Sequence, residues 1–197
     1  MRDREHGQKL SHQVSHDLVN WDPVVNDVAE AYVNRAGITV IQWIPTMGQW
    51  MLTYEYGIGR NNRTALGADF PVTYRFANDP LSFINSTAYQ IVAADIRGRY
   101  HQPNSAPYVT WSPVGGPDGT IIVSDGAIGG VFTNTFSGDP YKWEYHPTPA
   151  PVGYGRALNV LPDHPDHLMV FTGGPYNNPG RTPFTVSIVN ITALLTS

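Results

Sequence analysis

A short phrase, in which Asp is followed by three residues and an aromatic, occurs three times in this chain of 197 residues. The copies are Asp17–Trp21, Asp79–Phe83 and Asp139–Trp143, and their aspartates are 62 and 60 residues apart. A nearly constant period is typical of repeat architectures. Asp beside turn-forming residues closes a tight turn by accepting hydrogen bonds from nearby backbone N–H groups. The phrase therefore predicts one hairpin corner per structural unit, with the aromatic packed on the next strand.

The segments around these corners align strand by strand. They are rich in β-branched and aromatic residues and are bounded by Gly, Pro or Asp, which is typical of strands. The predicted strands are 37–44, 50–56, 70–76 and 89–92 in the first unit, 106–112, 120–124, 130–134 and 143–146 in the second, and 155–161, 167–171 and 184–190 in the third. Four antiparallel strands per unit make a blade of a β-propeller. The alternative is a β-sandwich with accidental periodicity.

The predicted fold class is all-β, a β-propeller of four-stranded antiparallel blades with about three blades present. Residues 1–197 form a single partial propeller domain, with blades at approximately 35–95, 104–147 and 153–192 and outer strands of a preceding blade at 8–23. Closed propellers have about four to eight blades, so an incomplete ring leaves two apolar blade faces open. We therefore expect either a C-terminal portion of a longer protein or copies that self-associate through the open faces.

Composition narrows the class of partner. Charged residues make up 14% of the chain, the net charge is −4, and the 12 basic residues are scattered, so we expect no nucleic-acid partner. No segment has transmembrane length, and the absence of Cys excludes disulfides and thiolate metal sites. No stretch is convincingly helical, and the nearest is 23–34. Sequons at Asn62, Asn85 and Asn190 favour a secreted glycoprotein, although the charged N-terminus is not a signal peptide.

Two segments carry a resemblance to a known family. Residues 35–57, which contain Ala-Gly-Ile-Thr-Val-Ile and Gln-Trp-Met-Leu-Thr-Tyr-Glu-Tyr-Gly, look like fungal secreted propellers of the sialidase-like superfamily. Residues 105–124, with Ala-Pro-Tyr-Val-Thr-Trp-Ser-Pro and Gly-Thr-Ile-Ile-Val-Ser, do so too. Such proteins are described as Asp-box repeat proteins and sit near the family 93 exo-arabinanases. The resemblance extends from Gln8 to Leu194. The corners depart from the Asp-box pattern Ser-x-Asp-x-Gly-x-x-Trp, since only Ser15 supplies the leading Ser and the Gly is absent.

The resemblance implies an exo-acting glycoside hydrolase that acts on arabinan or a similar plant cell-wall glycan. It further implies an oligo- or polysaccharide partner, secretion, and no cofactor. Two alternatives stay open. One is a polysaccharide lyase on the same fold, and the other is an inactive or glycan-binding fragment.

Glu55 is the first candidate for catalysis. In a propeller, the inner strands and the loops that lead into them line the central pocket. Glu55 lies between two tyrosines on a second strand, where a carboxylate is either paired with a cation such as Arg35 or Arg75 or tuned for catalysis. By the resemblance, Glu55 matches one of two catalytic glutamates, as nucleophile or base. Glycoside hydrolysis needs a second carboxyl group, and Asp125, at the nearest repeat position, is the candidate, unless it is a turn residue before Gly126.

Four further residues are candidates for substrate binding. Arg35 and Arg156 lie at the start of the first strands of two units, and guanidinium groups there would bind hydroxyls or carboxylates at the pocket rim. Bracing between blades is the alternative. Tyr154 and Tyr108 would stack on sugar rings, although buried tyrosine is equally expected in the core.

Three histidines complete the set. His101, in the segment that leads into the second unit, would serve as an acid, a base or a binding residue, or it is merely solvated. His164 and His167 flank Pro165 and Asp166, which suggests a metal, but they fall on a turn between strands that faces away from the pocket. We therefore expect no metal.

Overall fold

The computed structural model describes residues 10–26, 39–58, 62–124, 129–135, 139–148, 156–173 and 184–196. Almost all regular structure in these ranges is β-strand, in four sheets whose pairings are antiparallel with one exception. Together with the comparisons reported below, this confirms the predicted class of an incomplete antiparallel β-propeller. The stretch 23–34, the nearest to a helix in the sequence, lies mostly outside the described residues. No helix in the described ranges has the length and apolar character needed to cross a membrane.

The first blade follows a short two-stranded sheet formed by β1 (Ser11–His12) and β2 (Val25–Asn26). Its four strands are arranged in chain order and are all antiparallel. They are β3 (Thr39–Ile44), β4 (Gln49–Glu55), β5 (Val72–Ala77) and β6 (Tyr89–Gln90). The last five residues of β4 are buried, as expected for an inner strand covered on both faces.

The second blade has more strands than the sequence predicts. Its expected four are β9 (Tyr108–Ser112), β10 (Thr120–Ser124), β11 (Val131–Asn134) and β12 (Glu144–His146). Two more strands, β7 (Ala93–Ala94) and β8 (Tyr100–His101), extend the sheet to the order β8-β7-β12-β11-β10-β9. Ala94 pairs in parallel with Glu144, so residues assigned from the sequence to the end of the first blade join the second sheet.

The third blade has three strands among the described residues. They are β13 (Arg156–Leu161), β14 (His164–Thr172) and β15 (Thr185–Asn190). A short helix, α1 (Ile191–Leu195), follows β15 and was not expected from the sequence. One free N–H of its first turn is capped, because the Asn190 side chain accepts a hydrogen bond from Ala193 N.

The first strands of the three blades form the inner row, because β3 contacts β9 and β9 contacts β13. Apolar side chains fill the space between successive blades. Between the first two lie Met51, Val72 and Tyr74 with Val109, Phe132 and Trp143, and between the last two lie Ile122 and Val131 with Leu168, Val170, Ile191 and Leu194. Full burial of one such side chain contributes about 1.5–3 kcal/mol, so packing between blades holds the sheets in this radial arrangement.

The repeated phrase forms the predicted corners. In each, one carboxylate oxygen accepts the N–H of the residue two positions further on, at 2.8, 2.9 and 3.0 Å for Asp17, Asp79 and Asp139. The prediction for the aromatics holds in two units of three. Phe83 and Trp143 are buried. Trp21 is 56% exposed, so for the first corner the expected packing on a following strand is wrong.

Both ends of the row of blades present apolar side chains to solvent. On β15, Val186 and Ile188 are exposed and alternate with residues that face the core, and Phe184 just before the strand is exposed as well. On β3, Ile41 and Trp43 are exposed on the side opposite Val40, which packs towards the second blade. These two surfaces are called the β15 face and the β3 face below.

Candidate active site

Glu55 ends β4 at the boundary between the first two blades. It pairs with Val72 of β5, so its side chain lies on the face that packs against the second blade. Only 4% of Glu55 is exposed. Its Oε1 atom accepts two hydrogen bonds, one from Ser105 Oγ at 2.7 Å and one from Ala106 N at 2.5 Å. Both bonds go to the same oxygen, so they leave Oε2 available for another group.

The segment that holds Glu55 has an unusual backbone. Ser105 and Ala106 both have positive φ angles, 67° and 42°. The left-handed region is unfavourable for residues with a Cβ, by about 1–2 kcal/mol each. Such a conformation persists only where surrounding contacts impose it, and strained backbone is common at functional sites. The two donors to Glu55 are therefore held in place by the structure around them.

The surrounding contacts tie this segment to the loop after β4. Ser105 N donates to Phe70 O at 2.9 Å, and Phe70 N donates to Asn104 Oδ1 at 2.8 Å. Asn104 Nδ2 also donates to Asp69 Oδ1 at 3.1 Å. Residues just before the second blade are thus locked onto the first blade, with the Glu55 carboxylate at the junction. Sequence reasoning missed this segment, although Asn104 and Ser105 between two prolines are typical of a turn.

The sequence left open a salt bridge between Glu55 and Arg75, but the orientation of Arg75 does not favour it. Arg75 pairs with Leu52 and faces the opposite side of the sheet from Glu55. There its guanidinium donates to Tyr54 Oη at 3.2 Å and to Phe83 O at 3.3 Å. The recorded bonds of Arg75 therefore brace the first blade and its corner.

The other predicted catalytic and binding residues are only partly described. Arg35, Asp125 and Tyr154 lie outside the described residues. Arg156 is the first residue of β13, where it pairs with Thr172, and its side chain is outside the description too. Their predicted roles stay predictions.

The strand register refines the expectation for Asp125. Ile44 pairs with Gln49 in the first blade, and Ser112 pairs with Thr120 in the second, at the same point of the repeat. Counted along the sequence from these pairs, Asp125 is equivalent to the residue before Glu55. The repeat position of Asp125 is therefore displaced by one residue from that of Glu55.

His101 lies on β8 and not in a loop as expected. Its ring stacks on Tyr145 with centroids 4.0 Å apart and planes at 24°. Its Nε2 atom lies 3.2 Å from Asp95 Oδ2. Desolvation raises the pKa of Asp95, but hydrogen bonds from Arg99, His101 and the backbone of Arg97 outweigh it and hold that pKa below its usual value. The recorded contacts of His101 therefore hold it to the β7–β8 turn and to β12, and none of them is with Glu55.

Tyr108 begins β9 and is half-buried. It packs against the apolar cluster between the second and third blades and pairs with Ser124. Its position two residues after Ala106 places it close in sequence to the segment that holds Glu55. Its predicted role in stacking on sugar rings stays a prediction.

Radially stacked antiparallel blades, with a buried carboxylate at the end of an inner strand, define the chain as part of a β-propeller with a candidate site at that end of its strands.

No protein-family model matches the chain, and no curated protein matches it. Solved structures do match. An α-L-arabinofuranosidase of Fusarium graminearum in complex with an iminosugar inhibitor is 37% identical with a TM-score of 0.84, and the alignment covers 97% of this chain and 52% of that one.

Two further matches agree. The family 93 α-L-arabinofuranosidase of Fusarium graminearum in complex with arabinobiose is 36% identical with a TM-score of 0.83, covering 95% of this chain and 51% of that one. An α-L-arabinanase of Penicillium chrysogenum in complex with arabinobiose is 35% identical with a TM-score of 0.80, covering 94% and 50%. The resemblance to fungal sialidase-like propellers near glycoside hydrolase family 93 is therefore confirmed. The chain spans about half the length of these neighbours.

Proposed function

We propose that this chain is part of an exo-acting glycoside hydrolase that releases arabinose-containing products from arabinan. The observation that carries the proposal is 35–37% identity over 94–97% of the chain to structures of α-L-arabinofuranosidase and α-L-arabinanase, two of which contain arabinobiose. The buried carboxylate of Glu55 adds a group of the right chemistry. The proposed partner is accordingly an arabinan oligosaccharide or polysaccharide, and no nucleic acid or membrane is part of the proposal.

Glu55 acts in this proposal as nucleophile or base. Its Oε1 atom is fixed by Ser105 and Ala106, so Oε2 is the atom that reacts with the substrate or with water. A retaining enzyme has its two carboxyl groups about 5–5.5 Å apart and an inverting one about 6.5–9.5 Å. Asp125 is proposed as the second carboxyl group. Substrate contacts are assigned to Arg35, Arg156, Tyr154, Tyr108 and His101.

The function is tested by product analysis. Incubation of the protein with linear arabinan should release arabinose or arabinobiose, and Glu55→Gln should abolish the release. Glu144→Gln is the matched control, because Glu144 lies on β12 with its side chain 58% exposed, and it should keep full activity. Full activity in Glu55→Gln would remove Glu55 from the mechanism. A product that absorbs in the near ultraviolet would indicate a lyase, and glycan binding without turnover would indicate a binding protein.

We further propose that copies of the chain self-associate by packing the β15 face of one copy on the β3 face of another. Both surfaces are apolar and exposed, at 52% for Ile188 and 46% for Ile41. Two copies of a chain that spans about half of its solved neighbours supply as many residues as one neighbour. Light scattering after size-exclusion chromatography should give a dimer that Ile188→Asp converts to a monomer. A monomeric wild-type protein at high concentration would refute the association.

We propose that the protein is secreted. Support comes from the sequons, of which Asn62 and Asn85 are exposed. Asn190, by contrast, uses its amide to bond Asp166 and to cap α1, which opposes glycan attachment there. Expression in a fungal secretory host should give a glycoprotein whose glycans map to Asn62 or Asn85. Intracellular retention without glycan would contradict this proposal.

A further inference from the structure

The tip of the β13–β14 hairpin gathers three side chains that bind metals. One ligand atom each from His164, Asp166 and His167 lie within 4.8 Å of one another. The His164 and His167 rings are 5.6 Å apart between centroids and inclined at 70°, so they do not stack face to face. His164 is exposed, and the side chains of His167 and Asp166 are 36% and 39% exposed. An ion from solvent can therefore reach the group.

The carboxylate of this cluster is held by its neighbours. Asp166 Oδ1 lies 2.8 Å from His167 Nδ1, and Asp166 Oδ2 accepts a hydrogen bond from Asn190 Nδ2 at 3.2 Å. Asn190 is itself fixed, because its Oδ1 accepts the N–H of Ala193 at the start of α1 at 2.8 Å. Ligands of metal sites in proteins are oriented by this kind of second layer of hydrogen bonds.

The backbone of the hairpin tip is anchored as well. Leu161 pairs with His164 and closes the turn after a shift in register. The carbonyl of Pro165 accepts a hydrogen bond from Ser112 Oγ of the second blade at 2.6 Å. The three ligands are therefore presented by a turn that is fixed to the neighbouring blade on one side and to α1 on the other.

We propose that His164, Asp166 and His167 form a binding site for Zn²⁺, with water in the fourth position. Two imidazoles and one carboxylate are a common zinc ligand set, whereas Ca²⁺ and Mg²⁺ prefer oxygen ligands. Ligand atoms at about 2.0–2.1 Å from a tetrahedral zinc are about 3.4 Å apart. Rotation of the exposed His164 ring would bring its ligating nitrogen from within 4.8 Å to this distance from the other two ligand atoms.

The bound ion would act on the stability of the third blade and not on hydrolysis. His164 stands at the start of β14, and Glu55 stands at the end of the corresponding strand β4. The two sites therefore lie at opposite ends of the blades. Zinc would join the β13–β14 turn to the junction between β15 and α1, where Asn190 already contacts Asp166.

The test is calorimetric titration of the metal-free protein with Zn²⁺. We expect saturable binding of one ion per chain. His164→Ala and Asp166→Asn should each weaken it tenfold or more, and Asn190→Ala, which removes the outer hydrogen bond together with the cap of α1, should weaken it about tenfold. His16→Ala is the control, because His16 is exposed in the first corner, and it should bind as the wild type does. Zn²⁺ should raise the Tm of the wild type and of His16→Ala, but not that of His164→Ala.

Two results would overturn the site. One is equal Zn²⁺ affinity in the wild type and in His164→Ala, which would place the ion elsewhere. The other is the absence of saturable binding by Zn²⁺ and by Co²⁺, whose visible absorption reports a tetrahedral environment. If circular dichroism shows that His164→Ala is unfolded, His167→Gln gives the same comparison at the second imidazole.

Discussion

Replacement of Glu55 separates its structural role from its proposed catalytic role. In Glu55→Ala, Ser105 Oγ and Ala106 N both lose their acceptor. Ala106 is fully buried, so water does not replace the lost partner of its N–H group. A buried donor without a partner costs about 1–3 kcal/mol. With a smaller contribution from Ser105, we expect the free energy of unfolding to fall by about 3 kcal/mol.

Glu55→Gln keeps an oxygen in place and removes only the charge. Hydrogen bonds to charged groups contribute about 1.5–3 kcal/mol and neutral ones about 0.5–1.5 kcal/mol. The expected loss of stability is therefore about 1–2 kcal/mol, smaller than for Ala. Arabinan hydrolysis should show no such gradation, because a neutral amide is neither a nucleophile nor a base, and both variants should be inactive.

The assay is urea unfolding followed by tryptophan fluorescence, with activity measured on the same preparations. Ser105→Ala serves as a partial perturbation, since it removes one donor and keeps the carboxylate, and it should lose about 1 kcal/mol. An unfolding free energy of Glu55→Ala within about 0.5 kcal/mol of the wild type would refute the reasoning. It would mean that the Ser105–Ala106 segment does not depend on Glu55.

Four other substitutions test the fold. Gly119→Ala should destabilise the protein by roughly 2 kcal/mol more than Gly48→Ala, because overpacking costs about 1–3 kcal/mol. Both glycines have positive φ, but a Cβ at Gly119 would meet a backbone oxygen at 2.3 Å and one at Gly48 meets nothing; equal melting temperatures would contradict this. Tyr74→Phe should cost about 1–3 kcal/mol by leaving Trp143 Nε1 without its acceptor at 3.0 Å. Burial raises the pKa of Tyr74, so wild-type stability should fall above about pH 10, where unfolded tyrosine ionises, and less so in Tyr74→Phe. The backbone N–H groups of Asn20 and Val19 lower the pKa of Asp17, so its contribution to stability is present above about pH 4 and lost as pH falls further. Melting curves of the wild type and Asp17→Ala should therefore differ at neutral pH and converge in acid.

The strand pattern was predictable because it depends on local chemistry. Turn residues and alternating β-branched positions mark the strands of each blade, and the Asp corners form through hydrogen bonds between residues two apart. Strands β7 and β8 were missed because two residues carry too little pattern. Ala93–Ala94 pairs with the equally short β8 on one side, and on the other it joins the second sheet through Glu144, 50 positions later in the chain. Helix α1 was missed because five residues are too few for a periodic signal, and its formation depends on the Asn190 cap and on burial of Ile191 and Leu194.

The candidate site was predictable only in its central residue. Glu55 is conspicuous as a carboxylate on an apolar strand. Its partners Ser105 and Ala106 lie 50 and 51 residues away, and no local pattern connects them. The positive φ angles of these two residues are also set by tertiary contacts, since neither is Gly or Asn. Sequence reasoning thus located the Glu55 carboxylate but not the two residues that bind and orient it.

The corners and the candidate site are separated by the length of one strand. β5 begins at Val72, which pairs with Glu55, and ends at Ala77, two residues before the corner residue Asp79. Five steps along a strand span roughly 17 Å. A change at Asp79 is therefore separated from the site by the length of β5, while a change at Ser105 acts through a direct hydrogen bond. The repeated phrase accordingly marks the end of the blades that lies away from the proposed glycan site. Glu55 lies at the opposite end of the same strands.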